Sequence, residues 1–218
     1  MLKRSRGYRS PTDPELASGG ADGQMSDRCY KPKLLLHICC GPCATAVIER
    51  VVSRFEVVCL WYNPNIEPPA EYERRLAGMR TVAEATGVPL IEGQRDTEGW
   101  REAIAGWEDE PEGGRRCQIC FEYRLRRAAE YAQARDMDYL ATTLTISPHK
   151  DAQLINSLGE ELSEAAGVKF LGEVWRKKGG FQRSVQLSRQ LNLYRQDYCG
   201  CSYSMPSSVV SSRESGFA

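Results

Sequence analysis

The segment LLLHICCGPCAT, residues 34–45, decides the fold of this 218-residue chain. It opens with a short, mostly apolar run, which predicts a strand buried on both faces, as in the interior of a parallel sheet. The turn CCGPC follows, and residues 44–54 predict a helix after it. Cys39, Cys40 and Cys43 therefore lie where a strand passes into a helix. The free N–H groups and the positive dipole at that helix end favour thiolates.

Outward from this segment, short apolar runs alternate with longer amphipathic ones. We predict further strands at 57–62, 88–91, 139–144 and 168–171, and further helices at 71–86, 120–135, 152–166 and 184–191. Strands that alternate with helices of this length are typical of βαβ units on a parallel sheet. The sequence therefore predicts a single α/β domain with a mainly parallel five-stranded sheet flanked by helices. Sites in such sheets lie at the carboxyl ends of the strands.

The predicted domain covers residues 32–205. Residues 1–31 are rich in Ser, Gly, Asp, Pro and Arg and show no apolar period, so we predict a disordered extension there. Residues 206–218 predict a flexible tail. Met25 is a candidate for a second translation start.

The charge balance and the cysteine content narrow the class of protein. Lys and Arg total 29, and so do Asp and Glu, which neither indicates nor excludes a nucleic-acid binder because binding depends on where basic residues cluster. No apolar run approaches the roughly 20 residues of a membrane span, and no apolar stretch of the kind found in secretory signals follows the basic N-terminus. We expect a cytoplasmic protein with no membrane contact. In that compartment its nine cysteines indicate metal binding or catalysis more than disulfides.

A second cysteine group, Cys117 and Cys120, has CxxC spacing at the start of a predicted helix. This spacing lets two sulfurs reach one metal, and the preceding Arg115-Arg116 pair is expected to lower the pKa of both thiols. Together with Cys39 and Cys40, the pair offers four thiolates. Such a set suits tetrahedral zinc or a [4Fe–4S] cluster, and the spacing leaves both open.

A third group is Cys199-Gly200-Cys201. The CxC spacing is too tight for a relaxed disulfide, and strained disulfides are labile or catalytic. Gly200 supplies the backbone freedom that such a small ring needs. The pattern therefore favours a redox pair over two unrelated surface thiols. Cys29, in the predicted extension, and Cys59, inside a predicted strand, are given no role.

Several polar residues follow the predicted strands and are candidates for substrate contact. Asn63 and Asn65 follow the second strand, and His149 follows the fourth. Lys177 and Lys178 precede Gly-Gly-Phe, a combination of charge, flexible backbone and aromatic ring that suits a polynucleotide backbone and a stacked base.

Two further residues have a structural interpretation. His37 lies inside the first strand, and we expect a hydrogen-bonded core histidine rather than a metal ligand. Asp151 precedes a predicted helix and is expected to cap its N-terminus.

The chain resembles the QueH-type epoxyqueuosine reductases over nearly the whole predicted domain. The motifs that carry the resemblance are LLLHICCGPCAT (34–45), YNPNIEPPAEYERRL (62–76), EPEGGRRCQICFEYRL (110–125), TTLTISPHK (142–150), KKGGFQRS (177–184) and LYRQDYCGCSYS (193–204). The resemblance implies an oxidoreductase that reduces epoxyqueuosine to queuosine at the wobble position of tRNA, the last step of queuosine biosynthesis. It also implies a Rossmann-like fold of the HUP type.

The resemblance also implies cofactors and partners. A [4Fe–4S] cluster would be held by Cys39, Cys40, Cys117 and Cys120, and a redox-active disulfide would form at the CxC motif. Some relatives are thought to hold an additional mononuclear iron, which makes Cys43 a candidate ligand although a carboxylate occupies its position in those relatives. No cobalamin is implied. The expected partners are a tRNA with a queuosine-type anticodon and an unidentified electron donor.

Two other classes of function are compatible with the same cysteines. One is a zinc-stabilised RNA-binding module without catalysis, and the other is a thiol–disulfide oxidoreductase acting on proteins. For the reductase, the sequence offers Tyr198, His149 and Asp197 as candidate proton donors.

Overall fold

The computed structural model describes residues 30–205. Nearly all of the predicted extension and the whole predicted tail lie outside the described residues, and so do Met25 and Cys29. The proposed domain boundaries therefore stay predictions.

The described residues form five strands and six helices. The strands are β1 Lys33–Ile38, β2 Glu56–Trp61, β3 Leu90–Glu92, β4 Tyr139–Thr142 and β5 Lys169–Phe170. The helices are α1 Gly41–Val51, α2 Pro69–Thr86, α3 Thr97–Ala103, α4 Arg115–Gln133, α5 Ala152–Ala165 and α6 Gly180–Gln190. Short 3-10 helices cover Thr143–Ile146 and Ser202–Ser204. None of the helices in this part of the chain is both long enough and apolar enough to span a membrane.

All strand pairs are parallel, and the order across the sheet is β3-β2-β1-β4-β5. In the centre, Leu36 of β1 lies opposite Cys59 of β2 and Ala141 of β4. The chain moves outward from β1 to β3 and then returns to β4 on the other side of β1. The topological switch point therefore lies between β1 and β4, where α/β proteins place their ligands. The predicted α/β fold with a parallel five-stranded sheet is confirmed.

Both faces of the sheet are covered, which explains the continuous apolar run at the start of β1. Leu34, Leu36 and Ile38 point into one core, shared with side chains of α1 and α2. Leu35 points into the other core, shared with α4 and α5. All four side chains are fully buried.

The helices differ most from the predicted ones at the N-termini of α1, α4 and α6, and they include one helix that the sequence pattern missed. Helix α1 begins at Gly41 because Cys40 is its N-cap and a proline stands in its first turn. Helix α4 begins at Arg115 rather than at residue 120, so both cysteines of the CxxC lie within it. Helix α6 begins at Gly180 rather than at residue 184. Helix α3 was not predicted.

The predicted cap at Asp151 is confirmed. Its Oδ1 accepts hydrogen bonds from the backbone N–H groups of Gln153 at 2.9 Å and Leu154 at 3.1 Å. The cap fixes the start of α5 and the end of the loop that follows β4.

Candidate active site

A cavity of about 490 Å³ opens at the carboxyl ends of β1, β2 and β4, next to the switch point. Its walls come from the turn after β1, the loops after β2 and β4, helices α4 and α6, and the C-terminal segment 195–199. The lining includes three thiols and several charged or titratable side chains: Cys39, Cys43, Cys199, Glu112, Arg124, His149, Lys150, Arg195 and Asp197. The size is in the range of small-molecule sites.

The three cysteines after β1 form a compact group. The Sγ atoms of Cys39, Cys40 and Cys43 all lie within 4.8 Å of one another, and no other three potential metal-ligating residues in the stretch 30–205 come this close together. Cys40 is buried, and its Sγ accepts a hydrogen bond from the Cys43 N–H at 3.4 Å as the N-cap of α1. The backbone turn itself therefore sets the spacing of these sulfurs.

Within this group, the thiolate is favoured at Cys39. Hydrogen bonds from the thiols of Cys40 and Cys43 hold the pKa of Cys39 well below its usual range. Thr143 contributes, since its Oγ1 donates to Cys39 Sγ at 3.2 Å and accepts from the Cys39 N–H at 2.9 Å. Burial raises the pKa of Cys40 to about 12. The hydrogen bonds to Cys39 and Cys40 raise the pKa of Cys43.

Cys117 and Cys120 lie one turn apart on α4 and are both buried. Cys117 Sγ accepts a hydrogen bond from the Gly113 N–H at 3.2 Å, and its side chain belongs to the same apolar cluster against which Cys39 packs. Burial raises the pKa of Cys117, and it raises that of Cys120 to about 11. The expectation that Arg115-Arg116 lowers both values is wrong, because burial outweighs the favourable charge of Arg116 at Cys117.

Cys199 and Cys201 occupy different environments. All eight cysteines within residues 30–205 are free thiols. Cys199 is half-buried and lines the cavity, whereas Cys201 is buried with Cys120 and Trp100. Gly200 between them has φ 126°, a conformation that other residues rarely adopt, and a Cβ there would meet Arg75 Nη1 at 3.0 Å. The glycine is thus required both by its backbone conformation and by the close approach of Arg75.

Lys150 is a cation of the site that the sequence interpretation missed. It lines the cavity together with Cys39, Cys43 and Cys199. Burial by itself would lower the pKa of Lys150, but the three nearby thiols outweigh burial and raise it. The ammonium group therefore stays charged beside the sulfurs. In the sequence it is a lone lysine at the end of the TTLTISPHK motif, so composition and spacing carry no signal for it.

The two asparagines after β2 differ in how they are used. Asn63 Nδ2 donates to the Ile38 carbonyl at 2.9 Å, and its Oδ1 accepts from Arg124 Nη2 at 2.5 Å. Asn63 thereby joins the ends of β1 and β2 to α4. Asn65 is also buried and lines the cavity, and its Oδ1 has no hydrogen-bond partner. Substrate contact by either residue stays a prediction.

The other candidates for substrate contact, one histidine and two lysines, differ in whether they line the cavity. His149 is exposed and lines the cavity. Lys177 and Lys178 do not line it, and their backbone carbonyls accept hydrogen bonds from Arg50 at 3.0–3.3 Å. The aromatic ring of the same loop, Phe181, does reach the cavity.

His37 is a core histidine, as predicted. Its Nδ1 lies 2.9 Å from Thr142 Oγ1, and its Nε2 lies 3.2 Å from the Tyr62 carbonyl oxygen. Because a carbonyl only accepts, Nε2 carries the proton. Burial, assisted by the charge of Arg124, lowers the pKa of His37 to about 3, so the ring is neutral.

The chain has a Rossmann-like α/β fold with a thiol-lined cavity at the topological switch point of its parallel sheet, the place where such folds bind their ligands. A family model described as "Epoxyqueuosine reductase QueH" matches residues 34–207. The chain belongs to this family of epoxyqueuosine reductases and is an oxidoreductase. The predicted family and the predicted class of enzyme are confirmed.

Individual relatives agree with the family match. Epoxyqueuosine reductase QueH of Histophilus somni is 40% identical over 175 residues, which cover 79% of this chain and 72% of that protein. The protein of the same name from Streptococcus pyogenes is 38% identical over 179 residues, covering 79% of this chain and 70% of that protein.

Among solved structures, the U34-tRNA thiolase NcsA from Methanococcus maripaludis with its [4Fe-4S] cluster is similar to this chain. The TM-score is 0.48 at 14% identity, and the match covers 84% of this chain and 64% of that chain.

Proposed function

We propose that this chain acts on tRNA with a queuosine-type anticodon, reduces the epoxyqueuosine at its wobble position to queuosine, and thereby completes queuosine biosynthesis. The observation that carries the proposal is that Cys39, Cys43 and Cys199 line one cavity together with the charged side chain of Lys150. The reaction consumes two electrons and two protons, converts the epoxide into an alkene, and releases the epoxide oxygen as water.

The proposed cofactor is a [4Fe–4S] cluster held by Cys39, Cys40, Cys117 and Cys120. Cysteine thiolates are the ligands that such clusters take, so the donor set is of the right chemistry. The close approach of Cys39 and Cys40, and the shared apolar surroundings of Cys39 and Cys117, support this set. When bound, the cluster supplies single electrons. We further propose Cys43 as a ligand of an additional mononuclear iron, because its sulfur belongs to the same compact group and faces the cavity.

Cys199 and Cys201 are proposed as the two-electron store. Their oxidation forms one S–S bond and releases two electrons and two protons, which equals what the epoxide consumes. An external electron donor must reduce the disulfide after each turnover. The position of Cys199 in the cavity wall supports a direct role beside the substrate.

The chain's other side chains are proposed to bind the nucleotide and to supply protons. Arg195 and Lys150 carry positive charge toward the cavity and suit phosphate or a developing oxyanion, and Phe181 offers a ring for stacking. The Tyr198 hydroxyl already donates to the Glu67 carbonyl at 2.6 Å. That engagement favours His149 or Asp197, both exposed in the cavity wall, as the proton donor.

An anaerobic assay with epoxyqueuosine-containing tRNA tests the proposal, with the nucleoside product identified by mass. We expect wild-type protein to yield queuosine over many turnovers and Cys199→Ser to lose multiple turnover. Unchanged substrate with a fully occupied cluster would contradict the proposed reaction. Full multiple turnover by Cys199→Ser would remove the dithiol from it. Reduction of protein disulfides without iron or tRNA would instead indicate a thiol–disulfide oxidoreductase.

A further inference from the structure

The CxC segment is held by its backbone carbonyls. Arg75 Nη2 donates to the carbonyl of Tyr198 at 3.3 Å, and Arg75 Nη1 donates to the carbonyl of Cys199 at 3.0 Å. The next carbonyl, that of Gly200, accepts from the Glu67 N–H at 2.8 Å. Three successive carbonyls are therefore fixed by donors from the segment 67–75, at the start of α2 and just before it.

The Arg75 side chain is itself fixed from the other side. It is only 3% exposed, and its Nε donates to Glu71 Oε1 at 2.7 Å. Glu71 also accepts from the Tyr194 hydroxyl at 3.1 Å, so it ties a second point of the C-terminal segment to α2. The Arg75 guanidinium stacks 4.8 Å from the centre of the Tyr198 ring. All three nitrogens of the Arg75 guanidinium thus have defined acceptors.

This arrangement gives the two thiols of the motif different directions. With the carbonyls of Tyr198 and Cys199 held against α2, Cys199 lines the cavity. Cys201, two residues on, is buried with Trp100 and packs in the same cluster as Cys120. One thiol faces the space where the substrate would lie, and the other faces the CxxC helix.

We propose that Arg75 is a positioning residue for the reaction: its guanidinium holds the two peptide groups that flank Cys199, so that Cys199 stays in the cavity while Cys201 stays against α4. The inference rests on the proposed redox role of this pair. Arg75 touches neither sulfur in the described contacts, and it acts through the main chain.

The geometry of the guanidinium group makes the proposal specific to arginine. A planar guanidinium can donate to three acceptors in fixed directions, whereas a lysine ammonium is a single point of charge on a flexible stem. Replacement by lysine would keep the positive charge but could not keep the bonds to Glu71 and to both carbonyls. A displacement of about 1 Å at a reacting group can cost on the order of a hundredfold in rate.

The test is a series of variants assayed on epoxyqueuosine-containing tRNA with the cluster-bound enzyme. We expect Arg75→Met and Arg75→Lys to lower kcat by roughly a hundredfold with KM nearly unchanged, because positioning and not binding is lost. Glu71→Gln should retain most activity, since its amide oxygen can still accept from Arg75 Nε. Arg80→Met is the matched control, because Arg80 lies on the same helix and pairs with Glu92 outside the site.

Wild-type kcat in either Arg75 variant would overturn the proposal. Full rescue by Arg75→Lys would overturn it as well, because charge alone would then suffice.

A second readout does not depend on turnover. Under anaerobic conditions an alkylating reagent should modify the half-buried Cys199 of the wild type well before the buried Cys201, as peptide mass spectrometry would show. We expect Arg75→Lys to bring the two labelling rates close together, because the two peptide groups that flank Cys199 lose their common donor. An unchanged ratio of the two labelling rates would contradict the positioning role of Arg75. If the wild type fails to reduce epoxyqueuosine but the ratio changes as expected in Arg75→Lys, the proposed function fails while the positioning role stands.

Discussion

The cysteines after β1 and the cysteines on α4 are held by different forces. The turn into α1 brings the sulfurs of Cys39, Cys40 and Cys43 within 4.8 Å of one another and favours a thiolate on Cys39. Cys117 and Cys120 are instead buried in apolar surroundings that raise the pKa of both. Within the first group, hydrogen bonds from Cys40 and Cys43 single out Cys39 as the thiolate, whereas in the second group burial raises the pKa of both thiols and no neighbouring thiol within residues 30–205 donates to either. The difference supports the proposal that a metal centre is first held by the cysteines after β1 and is completed by those on α4.

The largest expected effect comes from removing one sulfur from each region. Cys39→Ser and Cys120→Ser should each lower the iron content and reduce turnover of epoxyqueuosine by more than about a hundredfold, because each change removes a proposed metal ligand. Cys59→Ala, which alters a buried cysteine inside β2, should keep both. Iron per chain and nucleoside mass are the measurements. Normal iron in Cys120→Ser would show that the α4 pair is structural only.

Two glycines test whether backbone contacts hold the turn after β1, and with it the first cysteine group, in place. A Cβ at Gly41 would lie 2.7 Å from the Gly78 carbonyl oxygen of α2, whereas a Cβ at Gly78 would meet nothing within 4 Å. Gly41→Ala should destabilise the fold by about 1–3 kcal/mol and lower iron content through the displaced turn. Gly78→Ala should be neutral or stabilising by up to about 1 kcal/mol. Denaturant unfolding checks both, and equal stabilities would contradict the close contact.

The positive charge of Lys150 is expected to contribute to catalysis in the cavity beside the cysteines that follow β1. Lys150→Met removes the cation beside Cys39 and Cys199, and kcat/KM for the tRNA substrate should fall by about tenfold, since a favourable charge interaction is lost. Lys33→Met, at the opposite end of β1, serves as the control. A normal kcat/KM in Lys150→Met would mean that the charge only compensates the buried thiols.

The smallest expected effect concerns the contact between α4 and the start of α3. The Tyr123 hydroxyl donates to Asp96 Oδ2 at 2.5 Å, and the Gly99 N–H donates to Oδ1 at 3.1 Å; these bonds lower the pKa of Asp96. Their contribution to stability is present above the ordinary carboxyl pKa and is lost as pH falls below it. The stability difference between wild type and Asp96→Asn, at most about 1 kcal/mol for an exposed group, should therefore shrink from pH 7 to pH 3. A constant difference in thermal unfolding would contradict this linkage.

Local sequence patterns predicted the fold and the cysteine groups because both depend on residues that are close together in the chain. The apolar run of β1, the alternation of strands and helices, and the cysteine spacings need no knowledge of distant contacts. Helix α3 escaped detection because it is short and buries only Trp100. The pKa of Cys117 was misjudged because burial by other elements is not visible in the neighbouring Arg115-Arg116 pair.

The rest of the site could not be predicted because it depends on contacts between residues that are far apart in the chain. Lys150 meets Cys199 only because the loop after β4 lies beside the C-terminal segment, and Arg75 meets the same segment from α2. The composition of the Lys177-Lys178 loop predicts a substrate contact, and that contact stays a prediction. In the fold its carbonyls bind Arg50, more than a hundred residues earlier in the chain, and neither lysine lines the cavity.

The most direct test of the account is the iron, acid-labile sulfide and zinc content of anaerobically purified wild-type protein. We expect about four iron and four sulfide per chain, with iron above sulfide if Cys43 holds an additional ion. Zinc without sulfide would contradict the account, because the same thiolates would then form a structural zinc site.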